Sequence, residues 1–458
     1  MTASALLLVP VRQRTIIRWF LVSFEFVNVL IISPHFPPIN APDHQRVRMS
    51  LPYFQEFGWH PSILTVDPAY VEGVRDLLLA KTVPEQVLVT ATKALPVSLT
   101  KEFGLGSLGW RCLPYLAKAG DRLLSQQPFD LVYFSTTVFL TMALAARWQH
   151  RFGIPYVLDF QDPWLSDYYK QSPDVRPPGG RFKYGFNQLV AQWLEPQALR
   201  SASHVISVSP EYPKVLSKHY PWLREEQFTV LPFGAPEADF ERLPSLHVQQ
   251  RLFDPNDGKR HWVYVGRGGS DMTLALRALF LAIRADRDRN PAIWDSIRLH
   301  FVGTSYAPSN RAVKTIEPLA HAIGIADLVD EQTQRLPYFE ALQTLVDSDA
   351  ILLIGSNDPG YTASKLYPCI LARKPMLAIF HQQSSVVSIL RECNAGRAVT
   401  FHTHNQPNEL TSQLIERLHW LQSLPKGYQP QTNWIAFQPY TAREMTRQQC
   451  EIFDQCLQ

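Results

Sequence analysis

The chain has 458 residues, and its 44 lysines and arginines nearly balance 41 aspartates and glutamates, for a formal net charge of +3. This length suits two or three domains, and the near-neutral charge argues against a general nucleic-acid binder. The five scattered cysteines include no Cys-x-x-Cys pair and have no histidines beside them at metal-ligand spacing. They therefore predict reduced thiols in a cytoplasmic protein and no metal site.

Residues 1–27 are predicted to be an ill-defined extension that precedes the first domain. Arginines flank and interrupt its two apolar runs, 6–9 and 19–22. No uninterrupted run reaches the roughly 20 apolar residues that a transmembrane helix needs. No clear small-residue cleavage site precedes Val27, as a signal peptide would require. The sequence leaves open whether this segment belongs to the native protein.

From residue 28 onward, apolar runs alternate with helical patterns, which is typical of βαβ units in a doubly wound parallel sheet. The first run, 28–33, is continuously apolar, as expected for a strand buried on both faces. A helix is predicted over 46–57, ending at Gly58. The first domain is assigned to 28–235, with further strands at 62–66, 87–89, 130–134, 155–160, 204–208 and 228–231 and a helix at 143–150.

Residues 234–260 are rich in glycine and proline and are predicted to be loop, so the domain boundary is placed after residue 235. The alternation then restarts in a second domain, 236–425, and a final segment, 426–458, contains a predicted helix at 441–457. Two successive α/β sheets place a cleft between them, with ligands at the carboxyl ends of the strands. The predicted strands are 262–266, 297–303, 328–331, 350–354, 375–380 and 398–401, and the helices are 272–286, 312–323, 339–346, 366–372 and 408–422.

The stretch 356–367 lies between a predicted buried strand and a predicted helix. Its Asn, Asp, Pro and Gly residues expose backbone N–H groups, and Thr362 and Ser364 are candidate helix N-caps. A helix N-terminus with Lys365 beside it is an anion site, which suits the diphosphate of a nucleotide-sugar. The alternative is a well-capped helix whose lysine points to solvent.

Several motifs, taken in order, resemble the GT-B glycosyltransferases of the large retaining family 4. The resemblance covers residue 28 to the end, and the order and spacing of the motifs carry it. They are 29–38 followed by Arg46 and Leu51, then 129–133, 154–164, 202–209, 264–267, 299–303, and 364–367 with Lys374-Pro375.

The resemblance implies two Rossmann-like domains that face a cleft, with a C-terminal helix that crosses back to the first domain. It implies that the first domain holds the acceptor and the second a nucleotide-diphospho-sugar. It further implies a retaining transfer without a metal, because cationic side chains hold the diphosphate and the leaving phosphate takes the acceptor proton. No other cofactor is expected.

Arg267 is the first candidate for the diphosphate, because it follows a predicted strand and Gly266 and precedes two more glycines. Glycines allow phosphate to approach the backbone, and a guanidinium grips two phosphate oxygens. With Lys365 it would stabilise the charge that builds on the leaving group. Asp162, just past a strand end, is a candidate for orienting the acceptor hydroxyl or for an Asx turn before Pro163.

The remaining candidates follow from the same resemblance and from positions at strand ends. The donor-binding set is Gly266, Gly303, Asp358, Gly360, Tyr361, Thr362 and Ser364, and the acceptor-side loop set is Asn40, His44 and Arg46. Two acids that the family often carries are missing, since Gly360 and Pro368 occupy their places. Asp358 could replace the first, and a non-catalytic domain stays open.

The expected function is a glycosyltransferase that moves a hexosyl-type sugar from a nucleotide-sugar to a saccharide or lipid-linked acceptor, in glycan or cell-envelope polysaccharide biosynthesis. The alternatives are a non-catalytic sugar- or nucleotide-binding GT-B protein in an assembly, and a nucleotide-sugar epimerase or hydrolase. The basic and aromatic segment 93–122 suits a peripheral contact with the inner face of a membrane. Ordinary amphipathic helices that cover the sheet are the alternative, since Glu102 and Asp121 dilute its charge.

Overall fold

The computed structural model describes residues 27–100, 106–165, 180–305, 311–358 and 364–458. The predicted extension therefore lies outside the described residues, except for Val27. No helix within the described ranges is long and apolar enough to cross a membrane.

The first sheet has seven parallel strands in the described part of the chain, in the order β3-β2-β1-β4-β5-β6-β7. The order reverses between β1 and β4, and such switch points are where open α/β sheets bind ligands. The strands are β1 Val27–Ile32, β2 Trp59–Val66, β3 Leu88–Thr92, β4 Leu131–Ser135, β5 Tyr156–Phe160, β6 His204–Ser207 and β7 Phe228–Val230.

The second sheet is also parallel, with six strands among the described residues in the order β10-β9-β8-β11-β12-β13. Its switch point lies between β8 and β11. The strands are β8 Arg260–Val265, β9 Ile297–Val302, β10 Val329–Gln332, β11 Ala350–Ile354, β12 Met376–His381 and β13 Arg397–Phe401. The predicted doubly wound α/β architecture with two sheets is confirmed, and the division after residue 235 stays a prediction.

Helices cover both faces of each sheet, and buried side chains form a separate apolar cluster on each face. The helices of the first part are Gln45–Ser50, Leu77–Ala80, Val97–Thr100, Leu108–Gln126, Ala143–Phe152, Gly180–Arg200 and Glu211–His219. Those that follow are Glu237–Leu246, Thr273–Arg287, Pro291–Asp295, Glu317–Ile323, Tyr338–Asp347, Leu366–Leu371, Ser385–Glu392, Thr411–Ser423, Trp434–Phe437 and Ala442–Gln455.

Three local predictions are wrong. The predicted loop 234–260 contains the helix Glu237–Leu246, which continues through Pro244 and buries Leu243. The helix predicted over 46–57 stops at Ser50, because Pro52 cannot donate a helical hydrogen bond, and a 3₁₀ turn then leads to Gly58 at φ 81°. The helix predicted from 312 begins only at Glu317.

The helix Ala442–Gln455 packs back on the first sheet, as predicted. Phe453 is fully buried there, with ring centroids 5.2 Å from Trp59 and 5.0 Å from Tyr133. The two chain crossings between the domains run side by side, since the N–H of Ala442 donates to the carbonyl of Ala235 at 2.9 Å. A Cβ atom on Gly234 would lie 2.6 Å from the Cα of Ala442, so this approach requires glycine.

Arg46 does not face the cleft, which corrects the prediction that it contacts the acceptor. Its side chain is fully buried, and its Nε donates to Asp159 Oδ2 at 2.8 Å while Nη2 donates to the Leu231 carbonyl at 2.6 Å. Asp159 also accepts from Ser135 and Gln161. Arg46 therefore joins the first helix to the carboxyl ends of β4, β5 and β7.

We predict that Arg46→Met lowers the free energy of unfolding by about 3–5 kcal/mol, because the Asp159 carboxylate stays buried without its counter-ion. Urea unfolding followed by circular dichroism measures the change. The matched control is Arg443→Met, which removes an ion pair between half-exposed partners, Arg443 and Glu56, and should cost less than about 1 kcal/mol. Equal, small losses in the two variants would contradict the role given to Arg46.

Candidate active site

A cavity of about 450 Å³ lies between the carboxyl edges of the two sheets. Asp162 and Ser209 line it from the first sheet, and Asp358, Ser364 and Ser385 line it from the second. Three residues predicted from sequence, Asp162, Asp358 and Ser364, therefore meet here across the cleft. Asp162 is exposed, yet partial desolvation and the negative charge of Asp43 raise the pKa of its carboxyl.

The side chain of Lys365, which follows β11, reaches the end of β8, where Gly266 leaves space for its ammonium group. Its Nζ donates to the hydroxyl of Tyr264 at 2.6 Å and lies 4.5 Å from the centroid of that ring. A Cβ atom on Gly266 would come within 2.4 Å of this Nζ, so the predicted glycine seats the lysine. Burial lowers the pKa of Lys365 to about 7, and the nearby charge of Arg267 acts in the same direction.

Arg267 follows β8 and forms an ion pair with Asp271. Asp271 was not among the residues predicted from the sequence. Two parallel hydrogen bonds join them, Nη1 to Oδ1 at 2.9 Å and Nη2 to Oδ2 at 2.7 Å. The hydrogen bond from Arg267 lowers the pKa of the Asp271 carboxyl to about 2. The carbonyl of Asp271 accepts from the N–H of Asn357 at 2.8 Å, which ties this loop to the loop after β11. The i,i+4 spacing of Arg267 and Asp271 was the available signal.

Gly303 has φ 75° directly after β9, a backbone conformation that glycine tolerates best. The next residue, Thr304, donates its hydroxyl to the buried carboxylate of Glu331 at 2.7 Å. Glu331 also accepts from the N–H groups of Ile316 and Glu317, both at 2.9 Å. The predicted donor glycine thus belongs to a loop that one buried carboxylate organises.

The stretch after β11 is described only in part. Gly360, Tyr361 and Thr362 lie outside the described residues. The helix Leu366–Leu371 has Lys365 at its N-cap position without a side-chain capping bond, so Ser364 is not the cap that the sequence suggested. Pro368 is half-buried inside this short helix.

On the acceptor side, His44 is a second correction. It is fully buried, its Nε2 lies 2.7 Å from the Ile39 carbonyl, and burial lowers its pKa to about 4. Asn40 is half-buried, with its backbone N–H donating to the Val74 carbonyl at 2.8 Å. His44 is therefore part of the loop's interior, and of the predicted acceptor-side set only Asn40 keeps partial exposure.

A different histidine, His35, is partly exposed at the carboxyl edge of the first sheet and pairs with Asp43. His35 Nδ1 lies 2.9 Å from Asp43 Oδ2, which also accepts from the Thr136 hydroxyl at 3.0 Å and the Thr137 N–H at 3.2 Å. Burial alone would raise the pKa of Asp43, but the hydrogen bond and charge of His35 outweigh it and the pKa is lowered. The pair spans the switch point, because His35 follows β1 and the threonines follow β4.

The described residues contain no group of three or more His, Cys, Asp or Glu side chains that could hold a metal ion. Arg267 and Lys365 follow β8 and β11 at the switch point of the second sheet, and neither is among the residues that line the cavity between the domains.

Known proteins resemble this chain in its fold and in the sequence of its first domain. A model of the glycosyl transferase 4-like domain matches residues 42–234. The matched region includes strands β2 to β7 of the first sheet. A comparison with curated protein sequences gives no significant match.

Solved structures match along nearly the whole chain. HepE from Anabaena in complex with UDP has a TM-score of 0.55 at 16% identity, over 93% of this chain and 100% of that one. A glycosyltransferase from Rickettsia africae has 0.52 at 12%, over 95% and 99%. An α,α-trehalose 6-phosphate synthase from Burkholderia multivorans has 0.53 at 10%, over 94% and 96%. These likenesses confirm the GT-B fold expected from the sequence motifs.

The loop that carries Asp162 is fixed by a hydrogen bond to a buried carboxyl, that of Glu195. Glu195 on the helix Gly180–Arg200 accepts from the N–H of Leu165 at 3.0 Å, and its other oxygen, Oε1, has no partner among the described residues. Burial raises the pKa of Glu195 to about 7. The group is thus protonated in the folded protein at pH values where it is ionised in the unfolded chain.

We predict that Glu195→Gln removes part of the pH dependence of stability. Since the folded pKa lies above the unfolded one, the wild-type stabilisation is present below about pH 4.5 and lost as pH rises through about 7, a change on the order of 3 kcal/mol. The melting temperature of the variant should therefore rise relative to wild type between pH 5 and 8. Glu211→Gln, at an exposed site, is the control, and parallel curves for wild type and Glu195→Gln would refute the assignment.

Proposed function

We propose that the protein is a retaining glycosyltransferase that moves a sugar from a nucleotide-diphospho-sugar to a saccharide or lipid-linked acceptor. A hexosyl transfer in glycan or cell-envelope polysaccharide biosynthesis is the role we infer. The observation that carries the proposal is the pair of cations, Arg267 and Lys365, at the switch point of the second sheet. Anionic ligands bind where cationic donors meet a strand end at such a point.

In the proposed reaction the bond between the sugar C1 and the β-phosphate oxygen breaks, and its electron pair stays on the diphosphate. Arg267 and Lys365 would stabilise this charge, usually the largest contribution to such a transfer. The acceptor oxygen bonds to C1 on the same face, and its proton passes to the leaving phosphate. An enzyme nucleophile is not required by this route, and Asp162 would orient the acceptor hydroxyl from across the cleft.

Lys365 must be protonated to stabilise the negative charge of the diphosphate. With its pKa near 7, part of the lysine is neutral in the ligand-free protein at physiological pH. A bound diphosphate would favour the ammonium form, because opposite charge raises a lysine pKa. Arg267 would exchange or share its carboxylate partner, Asp271, with the phosphate oxygens.

The first experiment is a thermal-shift panel of UDP, GDP, ADP and dTDP with and without EDTA. UDP is the first nucleotide to test, because it is present in the similar HepE structure. A nucleotide at a hundredfold its dissociation constant should add about 2.7 kcal/mol of stability. We expect one nucleotide to shift the melting temperature equally with and without EDTA, and no shift with any of them would contradict the proposed donor site.

We predict that Arg267→Ala and Lys365→Ala each weaken binding of that nucleotide at least tenfold, because each removes a charge-assisted contact. Isothermal titration calorimetry measures the dissociation constants. Lys214→Ala is the matched control, since Lys214 is an exposed lysine that pairs with Glu211 on the first domain. Unchanged affinity in both site variants would remove the diphosphate assignment.

The pH dependence of donor binding supplies a further prediction. Below about pH 7 Lys365 is already charged, whereas above it binding must bring a proton, so the affinity for a nucleotide-sugar should fall by up to tenfold per pH unit. A nucleotide-sugar is the better probe because its diphosphate stays fully ionised throughout this range. Lys365→Arg stays charged and should flatten the profile between pH 7 and 9. An identical slope in the arginine variant would assign the titration elsewhere.

The epimerase or hydrolase alternative gains support from one feature, the proximity of His35, Asp43 and Asp162 at the edge of the first sheet. These enzymes act on the donor alone. Incubation of the nucleotide-sugar without an acceptor separates the cases, since rapid epimerisation or release of free sugar favours them. Tight nucleotide binding with no turnover under any condition favours the non-catalytic alternative.

A lipid-linked acceptor would bring the protein to a membrane. The predicted basic segment gives limited support, because the helix Leu108–Gln126 turns Cys112 and Leu116 into the core and covers the sheet. Leu189 and Trp193 on the helix Gly180–Arg200 give more, since their side chains are 66% and 68% exposed. A cytoplasmic location stays our inference from the cysteines, all five of which are free thiols.

A further inference from the structure

A second cavity, of about 470 Å³, lies within the first domain at the switch point of its sheet. His35 after β1, Thr137 after β4 and Trp164 after β5 line one side, and Trp110 lines the other. Small-molecule sites commonly have this volume and this mixture of aromatic walls with a few polar groups. None of the sequence-predicted site residues that the structure describes lines this cavity.

The walls offer flat aromatic faces. Phe139 and Trp164 stack at 5.7 Å between ring centroids and 14° between planes, and both are half-buried. Trp110 is also half-buried, at the start of the helix Leu108–Gln126. Half-buried aromatic rings that line a cavity suit the apolar C–H face of a sugar ring, whose hydroxyls then need polar partners around the rim.

Those polar partners are present. Asn187 and Gln188 line the rim from the helix Gly180–Arg200. His35 has its Nδ1 engaged by the buried Asp43, so a ligand would meet its Nε2. Because Asp43 occupies Nδ1, the ring is oriented with Nε2 available to hydrogen-bond a sugar hydroxyl.

The charges around this cavity argue against an anionic ligand. Glu72 is an exposed carboxylate at the rim. The cation among the described lining residues, Arg111, is 1% exposed and spends its N–H groups on three carbonyls, those of Tyr70, Leu95 and Gly106. The guanidinium is therefore turned inward, whereas the donor side presents Arg267 and Lys365 near its cleft. Among the described lining residues, a phosphate or carboxylate would therefore meet the Glu72 carboxylate and no arginine or lysine turned towards it.

The two cavities are neighbours. Asp162 lines the one between the domains and Trp164 lines this one, with Pro163 between them. Gln161 precedes these three residues and joins their loop to the loop after β1, because its Nε2 donates to the carbonyl of Asp43 at 2.9 Å. A ligand held on Trp164 thus lies beside the loop that reaches the proposed donor site.

We propose that this aromatic cavity binds a neutral saccharide, the acceptor of the proposed transfer, and that the Nε2 of His35, oriented by Asp43, forms a hydrogen bond with one of its hydroxyls. The inference rests on the proposed function for the word acceptor, but the saccharide site itself can be tested alone. The aromatic faces supply the affinity, and the negative rim selects against phosphorylated or carboxylated sugars.

The test is a glycan array that pairs neutral oligosaccharides with phosphorylated and carboxylated counterparts, probed with the full chain and followed by calorimetry on the best neutral binder. We expect a neutral oligosaccharide to bind better than its charged counterparts. Trp164→Ala and Trp110→Ala should each weaken it about tenfold, and His35→Gln should do so by a similar factor. Trp222→Ala, an exposed tryptophan elsewhere in the first domain, is the control and should leave affinity unchanged.

Melting temperatures and nucleotide binding of each variant separate the possible results. Two tryptophan variants keep the test decisive if one fails to fold. Preference for anionic sugars, affinity unaffected by all three site variants, or no glycan binding at all would overturn the saccharide site. If these results came with an intact nucleotide shift, the proposed transfer would survive. Saccharide binding without any nucleotide shift would instead uphold this cavity and remove the transferase.

Discussion

The buried ion pair between Arg46 and Asp159 is the constraint on which the cleft edge of the first domain depends. Two fully buried charges are costly to remove from water, and they persist only with excellent geometry and enough hydrogen bonds. Here the guanidinium also donates to the carbonyl of Leu231, and the carboxylate accepts from Ser135 and Gln161. The pair therefore fixes the ends of several strands together. Gln161 also donates to the backbone carbonyl of Asp43, whose side chain in turn orients His35.

The cleft edge of the second domain is built on a different principle, close approach at glycines. Gly266 leaves space for the Lys365 ammonium, and a Cβ atom on Gly269 would lie 2.4 Å from Asp271 Oδ1. The cations here have partners that a ligand can replace, a phenol for Lys365 and a carboxylate for Arg267. The pKa of Lys365 near 7 reflects the same arrangement, because burial desolvates the ammonium and the charge of Arg267 lies nearby. Such an edge is suited to an incoming diphosphate.

The sequence predicted the strands of both sheets well, because parallel strands buried on both faces are continuous apolar runs such as Ala350–Ile354. It also singled out Arg267, directly after a strand and beside glycines, and Lys365, at the start of a helix, and their role as diphosphate ligands stays a prediction. Side-chain direction was not visible. His44 and Arg46 are buried, whereas Asp43 in the same short segment reaches His35, and no periodicity in a segment of this length distinguishes them. The helix Glu237–Leu246 was missed because its prolines resemble those of a loop.

The two edges face each other because buried polar contacts join the domains away from the cleft. Tyr338 of the second domain donates its N–H to Asp76 at 2.7 Å and its hydroxyl to Asp239 at 2.6 Å. Arg48 of the first domain donates to the same Asp239 at 2.8 Å and lies over the Tyr338 ring. Leaving any of these groups unpaired would be costly, so the contacts strongly favour one arrangement of the two domains. Arg267 and Lys365 thus lie at the edge of the second sheet, whereas the described rim of the aromatic cavity in the first domain carries the carboxylate of Glu72. The proposed donor and the proposed acceptor would then occupy distinct places on either side of one short loop.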